Sequence, residues 1–131
     1  MGQDEEIVNK PIHYTSHPSG IECIDIAERL NFNLGNAFKY LWRHQLKGRP
    51  TKDLMKSVWY LNREIARISE GEVPQSAMVP PEEIDLIIGY PSLVHNAMVC
   101  ILLSTLSNNP SAVIKDLRGA VSHVTAYIGE E

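Results

Sequence analysis

Only two cysteines occur in the 131 residues, Cys23 and Cys100, and they form no CxxC pair. That excludes a disulfide framework and a cysteine-based zinc knuckle, and both thiols, in apolar contexts, read as buried and reduced. Long apolar runs are missing as well. The longest, Leu93 to Leu106, contains His95 and Asn96 and falls short of the roughly 20 residues of a bilayer span, so it reads as a buried core helix. The opening MGQDEEIVNK is acidic where a secretory signal is basic and then apolar, and it lacks the Ser or Thr of a myristoylation signal. The expectation is a cytoplasmic protein with no membrane partner. Sustained strand alternation, internal repeats and low-complexity tracts are absent, and so is the GxxxxGK[ST] phosphate loop of many kinases. Lys47-Gly48-Arg49-Pro50-Thr51-Lys52 has similar letters in another arrangement.

What is present is helical periodicity. Punctuation by Pro11, Pro18 and Gly20 marks residues 1–20 as an irregular N-terminal segment. A first helix is expected over Ile21 to Leu30. Asn31-Phe32-Asn33 breaks it, and either asparagine suits the cap of a second helix running to about Leu46. Gly48-Arg49-Pro50 stops that helix, Thr51 suits the N-cap of a third, and Gly71 lies just past its end. Residues 72–81 read as a connector, Glu82 to Ile88 as a short helical turn, and 82–129 as a helical hairpin whose last helix opens at Asn109-Pro110. Val113, Leu117, Ala120 or Val121, Val124 and Ile128 give that helix a seam that serves a bundle or a partner helix alike. The prediction is one all-α domain over 1–131: a helical bundle of about five helices, with a three-helix unit over 21–70 packed on the C-terminal hairpin.

Charge is distributed unevenly. Residues 36–67 hold eight basic residues against Asp53 and Glu64, a balance of plus six, and the remainder, with four basic and fourteen acidic residues, is minus ten. An acidic chain of net charge −4 does not suit a nucleic-acid partner, whose binding requires many phosphates to be neutralised over a broad surface. A basic cleft for one small anion fits better. Asn36, Lys39, Tyr40, Arg43 and Lys47 fall at i, i+3, i+4, i+7 and i+11, on one helical face, opposite Leu34, Ala37, Phe38, Leu41 and Trp42. In the third helix Leu54, Val58, Leu61, Ile65 and Ile68 form the seam, with Lys56, Tyr60, Arg63 and Arg67 turned away from it. A soluble face more often alternates Glu and Lys four residues apart; here Asn and Tyr join cations of a single sign. Lys and Arg for phosphates, with rings for a base, describe a nucleotide site.

Several residues stand between a functional and an ordinary role. Trp42 reads as core, Trp59 as a boundary residue, and Tyr60 as a base-stacking candidate. His13, Tyr14 and His17 lie in a segment of the kind that often carries binding residues, while a His13/His17 metal site lacks zinc-like spacing. Glu22 and Asp25, three apart, either solvate the first helix or hold Mg²⁺, which needs few protein ligands because it keeps water and phosphate oxygens. His44 and Arg49 either extend the basic wall or lie on the surface. His95 and His123 read as core or interface residues.

His13-Tyr14, Gly20-Ile21-Glu22-Cys23-Ile24-Asp25, the run from Gly35 to Arg43, Lys47-Gly48, Asp53-Leu54 and Trp59-Tyr60-Leu61 resemble the small phage family that includes the nucleotide kinase of phage T7 and the lactococcal SaV-like proteins. The resemblance covers about Asn9 to Arg67. It implies phage origin, the cytoplasm of an infected bacterium and a role in nucleotide metabolism or sensing. The first functional expectation is a deoxynucleoside monophosphate kinase without a P-loop, using ATP and Mg²⁺. In it Lys39, Arg43, Lys47 and Arg63 hold phosphates, Lys56, Asn36, Tyr40, His13 and Tyr14 complete the site, Tyr60 meets the base, and Glu22 and Asp25 act as catalytic or metal-binding carboxylates. The second is a module that captures a nucleotide, such as a cyclic signal of host antiphage defence, without turnover or cofactor. An all-α pyrophosphohydrolase ranks last, because only Glu22, Asp25, Glu28 and Asp53 are available near the basic stripe. A homo-oligomer is expected, from one helix that is apolar nearly all round and another with a seam.

Overall fold

The computed structural model describes residues 20–47, 51–87 and 93–130. Among them run six helices and no strand: α1 Cys23–Ala27, α2 Phe32–Lys47, α3 Thr51–Ser69, α4 Pro81–Ile87, α5 Leu93–Ser104 and α6 Pro110–Glu130. The all-α helical bundle expected from periodicity is what forms. Four helices close a ring in which α2 packs on α3, α3 on α6, α6 on α5 and α5 on α2, while α1 rests on α2 and α4 on α5. The central core includes Phe38, Leu41, Trp42, Leu54, Leu61, Met98, Ile101 and Leu117, all fully buried.

The helix ends follow local chemistry. Glu22 is the extended N-cap of α1, and the Oδ2 of Asp25 accepts its backbone N–H at 3.2 Å, one half of a capping box. This first helix is much shorter than Ile21 to Leu30. After Ala27 the chain tightens into a turn, with Arg29 N–H donating to Ile26 O and Leu30 N–H to Ala27 O, because Asn31 is already in place as the cap of α2. Asn31 Oδ1 accepts the Leu34 N–H at 2.9 Å, the N3 donor that an N-cap satisfies. Gly35 lets this corner close, since a Cβ there would stand 3.1 Å from the backbone oxygen of Ala27. At the other end of α3, Gly71 takes φ +107°; its N–H donates to Ile68 O and that of Glu72 to Arg67 O, a Schellman closure. Thr51 is the first residue inside α3 rather than its cap.

Residues 72–80 form no regular element but are anchored. Val73 O accepts from Arg67 Nη2 at 2.8 Å, Ser76 Oγ accepts the Asn31 N–H at 2.9 Å, and the Val79 N–H donates to Thr105 Oγ1 at 2.9 Å. Ala77 N–H donates to Arg29 O, and Arg29 forms a two-pronged ion pair with Glu83 of α4. The connector therefore ties the α1–α2 corner to the end of α5. The hairpin of α5 and α6 forms as expected, with Asn109 Oδ1 capping α6 through Ala112 N–H at 3.2 Å and Pro110 in the first helical position.

Candidate functional site

The split between buried and outward faces on α2 and α3 places cations and rings side by side. Leu34, Ala37, Phe38, Leu41 and Trp42 are buried, which leaves Lys39 and Tyr40 half-exposed. Across the α2–α3 contact the Tyr40 and Tyr60 rings stack with centroids 6.1 Å apart and planes at 16°. Two ammonium groups lie over Tyr40: Lys39 Nζ is 4.7 Å and Lys56 Nζ 5.1 Å from the ring centroid. Such cation–π contacts at exposed positions are worth about 0.5–1 kcal/mol, so an incoming phosphate can draw either lysine away at small cost. Tyr60 also meets Phe32 edge-on at 6.0 Å and Trp59 edge-on at 5.0 Å.

Beside this stack lies a cleft of about 390 Å³, lined by Phe32, Asn33, Trp59, Tyr60, Arg63, Arg67 and Glu70. Its volume falls within the roughly 300–1,000 Å³ of small-molecule sites. Phe32 is 76% and Trp59 61% exposed, so both rings offer free faces. A shallower depression of about 230 Å³, which Phe32 also edges, is lined by residues including Ile24, Gly35, Asn36 and Lys39.

Behind the cleft sits a carboxylate that the periodicity argument passed over. Glu64 is completely buried, at the fourth place of a Leu54, Ser57, Leu61, Glu64, Ile68 row spaced like a bundle seam. Its Oε1 accepts from Asn33 Nδ2 at 3.0 Å and Arg67 Nε at 2.9 Å; its Oε2 accepts from Asn31 Nδ2 at 2.7 Å and Arg67 Nη2 at 2.7 Å. Burial by itself pushes this carboxyl up, but the bonds from Arg67, Asn33 and Asn31 outweigh it and hold the group below its ordinary 4.5. Charge-assisted hydrogen bonds to the ionised form have this effect.

The site expected from sequence is placed only in part around one concavity. Tyr60 and Arg63 line the larger cleft; Tyr40, Lys39 and Lys56 form the adjoining stack; Asn36 lines the shallow depression and donates its Nδ2 to Phe32 O at 2.8 Å. Arg43 is half-buried, with Nε shielded from solvent. Lys47 ends α2, but its side chain, together with His13, Tyr14, His17 and Arg49, lies outside the described residues. Glu22 and Asp25 stand at the start of α1, engaged in its cap, and neither lines the cleft. Among the described residues no group of three or more His, Cys, Asp and Glu side chains is placed to hold a metal ion.

Two side chains differ from expectation. His44 does not extend the basic wall: it is buried, with its ring 5.3 Å from that of Tyr127 on α6. Arg67, expected to turn away from the seam, folds back over it to reach Glu64. Cys23 is buried packing, its thiol pushed up to about 12 by burial against the opposing field of Lys39.

A family model described as proteins of unknown function, DUF3310, matches residues 8–62. The matched stretch takes in α1, α2 and α3 as far as Asn62, and so carries Phe32, Trp59 and Tyr60 but not Arg63, Glu64 or Arg67. No curated protein and no solved structure matches the chain.

Proposed function

We propose that this protein binds a nucleotide on its α2–α3 face, with the base against Trp59 and Phe32 and the phosphates toward Arg63, Lys56 and Lys39. The observation that carries the reading is the cleft of about 390 Å³ that brings two exposed rings and two arginines together beside the Tyr40–Tyr60 stack. Base stacking on aromatics contributes about 1–3 kcal/mol per base, and arginine grips phosphate by paired donors. With the phage resemblance, this supports a P-loop-less deoxynucleoside monophosphate kinase, using ATP and Mg²⁺ in the cytoplasm of an infected bacterium. In that reaction a monophosphate oxygen attacks the γ-phosphorus of ATP, ADP leaves, and the basic side chains stabilise the transferring charge. Outward-facing Ile24, Phe32, Met55 and Trp59 also support self-association as a homo-oligomer.

One observation favours capture without turnover. Asp25 Oδ2 accepts the Glu22 N–H in the cap of α1, and neither carboxylate lines the cleft. The chain then acts as a sponge for a nucleotide, such as a cyclic signal of antiphage defence. Calorimetry with nucleoside monophosphates, ATP and cyclic dinucleotides tests the binding claim, which saturable binding supports and its absence removes. Incubation with ATP, Mg²⁺ and each deoxynucleoside monophosphate separates the two readings: diphosphate product identifies the kinase, and recovery of intact bound ligand identifies the sponge.

A further inference from the structure

We infer that Glu64 is a positioning residue of the cleft: it fixes the Asn33 amide and the Arg67 guanidinium so that each presents its opposite end to a bound ligand. The inference rests on the nucleotide-binding reading and adds to it Glu64 and Asn33, which lie outside the set of cations and rings that suggested it.

Two of the three side chains bonded to Glu64, Asn33 and Arg67, line the cleft. Glu64 takes the donor end of the Asn33 amide at 3.0 Å, which leaves Asn33 Oδ1 with no hydrogen bond to a described residue. Arg67 gives Nε and Nη2 to the carboxylate and Nη2 also to Val73 O, so Nη1 is the guanidinium nitrogen left without a described partner. The Arg67 side chain keeps 24% of its surface exposed, while that of Glu64 has 1%. One buried anion thus orients an acceptor and a donor on two side chains that line the cleft.

A purely structural role explains this arrangement less well. Placing a carboxylate at a bundle seam carries a desolvation cost, and an apolar residue there often gives equal or greater stability. Leu54, Leu61 and Ile68 fill the neighbouring places of the same row. A staple for the fold alone would not need partners whose far ends stay unbound in the cleft. Sites that bind through fixed polar groups rely on such supporting contacts, because a side chain already held in place loses less freedom on binding.

The test is a cycle of variants, read by calorimetry with each common deoxynucleoside monophosphate and by thermal unfolding. Glu64→Gln keeps the shape but removes the charge and one acceptor. It is expected to weaken binding by at least about tenfold, the effect of one charge-assisted hydrogen bond, in protein that remains folded at the assay temperature. In an Asn33→Ala/Arg67→Ala background the same change should alter Kd by less than about twofold, because the groups it acts through are gone. An affinity unchanged by Glu64→Gln overturns the inference, and so does a loss that persists in the double-variant background. Should Glu64→Gln fail to fold, Asn33→Ala alone, at a half-buried position outside the apolar core, must weaken binding by a similar factor; unchanged affinity there also overturns the inference. If the unaltered protein binds no nucleotide, the functional reading and this inference fall together. If it binds and only the variants are silent, the functional reading stands and Glu64 is structural.

Discussion

At Trp59 the effects of one residue on packing and on the proposed binding can be told apart. The residue is 61% exposed although its ring adjoins that of Tyr60 at 5.0 Å, so Trp59→Ala should change stability by no more than about 0.5 kcal/mol, as surface substitutions do. The same change should weaken nucleotide binding by about 1–3 kcal/mol through lost stacking, and parallel melting and calorimetry would show the two effects apart. At Glu64 stability and binding are expected to change together. Its folded pKa is below the unfolded value, so its stabilising contribution is complete above pH 4.5 and declines as pH falls through the folded value. Relative to Glu64→Gln, the native chain should be about 1.5–3 kcal/mol more stable near neutrality, and denaturant titrations should show that margin shrinking in acid below pH 4.5.

Two glycines set contrasting limits on the helices that contain them. Gly119 lies inside α6, where a Cβ would meet Cys100 Sγ at 3.5 Å, an ordinary contact. Gly119→Ala should therefore raise stability by about 0.5–1 kcal/mol through helix propensity, which an upward shift in the melting temperature would register. Gly35 faces a backbone oxygen at 3.1 Å, which cannot rotate aside. Gly35→Val should cost about 1–3 kcal/mol as an overpacked contact, and by forcing α1 from α2 it should also disturb Phe32 and Asn33. A fall in both melting temperature and nucleotide affinity is the expected result. The anchored connector belongs to this scale too, because its bonds to Asn31 and Arg67 brace the elements that carry Asn33 and Glu64.

Across the whole molecule the charge is polarised, with plus six between residues 36 and 67 and minus ten elsewhere. The acidic remainder disfavours a long polyanion while a local basic face attracts a small one. Raising the salt concentration should accordingly weaken nucleotide binding in a graded way, because the cations are partly exposed and screened; calorimetry over a salt series checks it, and an affinity independent of salt would mean that the basic face is not the site. None of the described helices is long and apolar enough to cross a membrane.

Periodicity alone determined the all-α class, the buried faces of α2 and α6, and the Leu54, Leu61 and Ile68 positions of the α3 seam, because side-chain direction along a helix follows from its repeat. Caps and stops were legible for the same local reason at Asn109, Pro110 and Gly71. Tertiary structure alone decided which asparagine caps α2, why α1 is short, that Phe32 and Trp59 edge a cleft, and that His44 is buried. Above all it decided the setting of Glu64: its charge argued for an outward position, and only the meeting of Asn31, Asn33 and Arg67 from separate stretches of chain makes burial of that charge tolerable. Local repeats fix which way a side chain points, whereas the partners that satisfy a buried ion are brought together by packing.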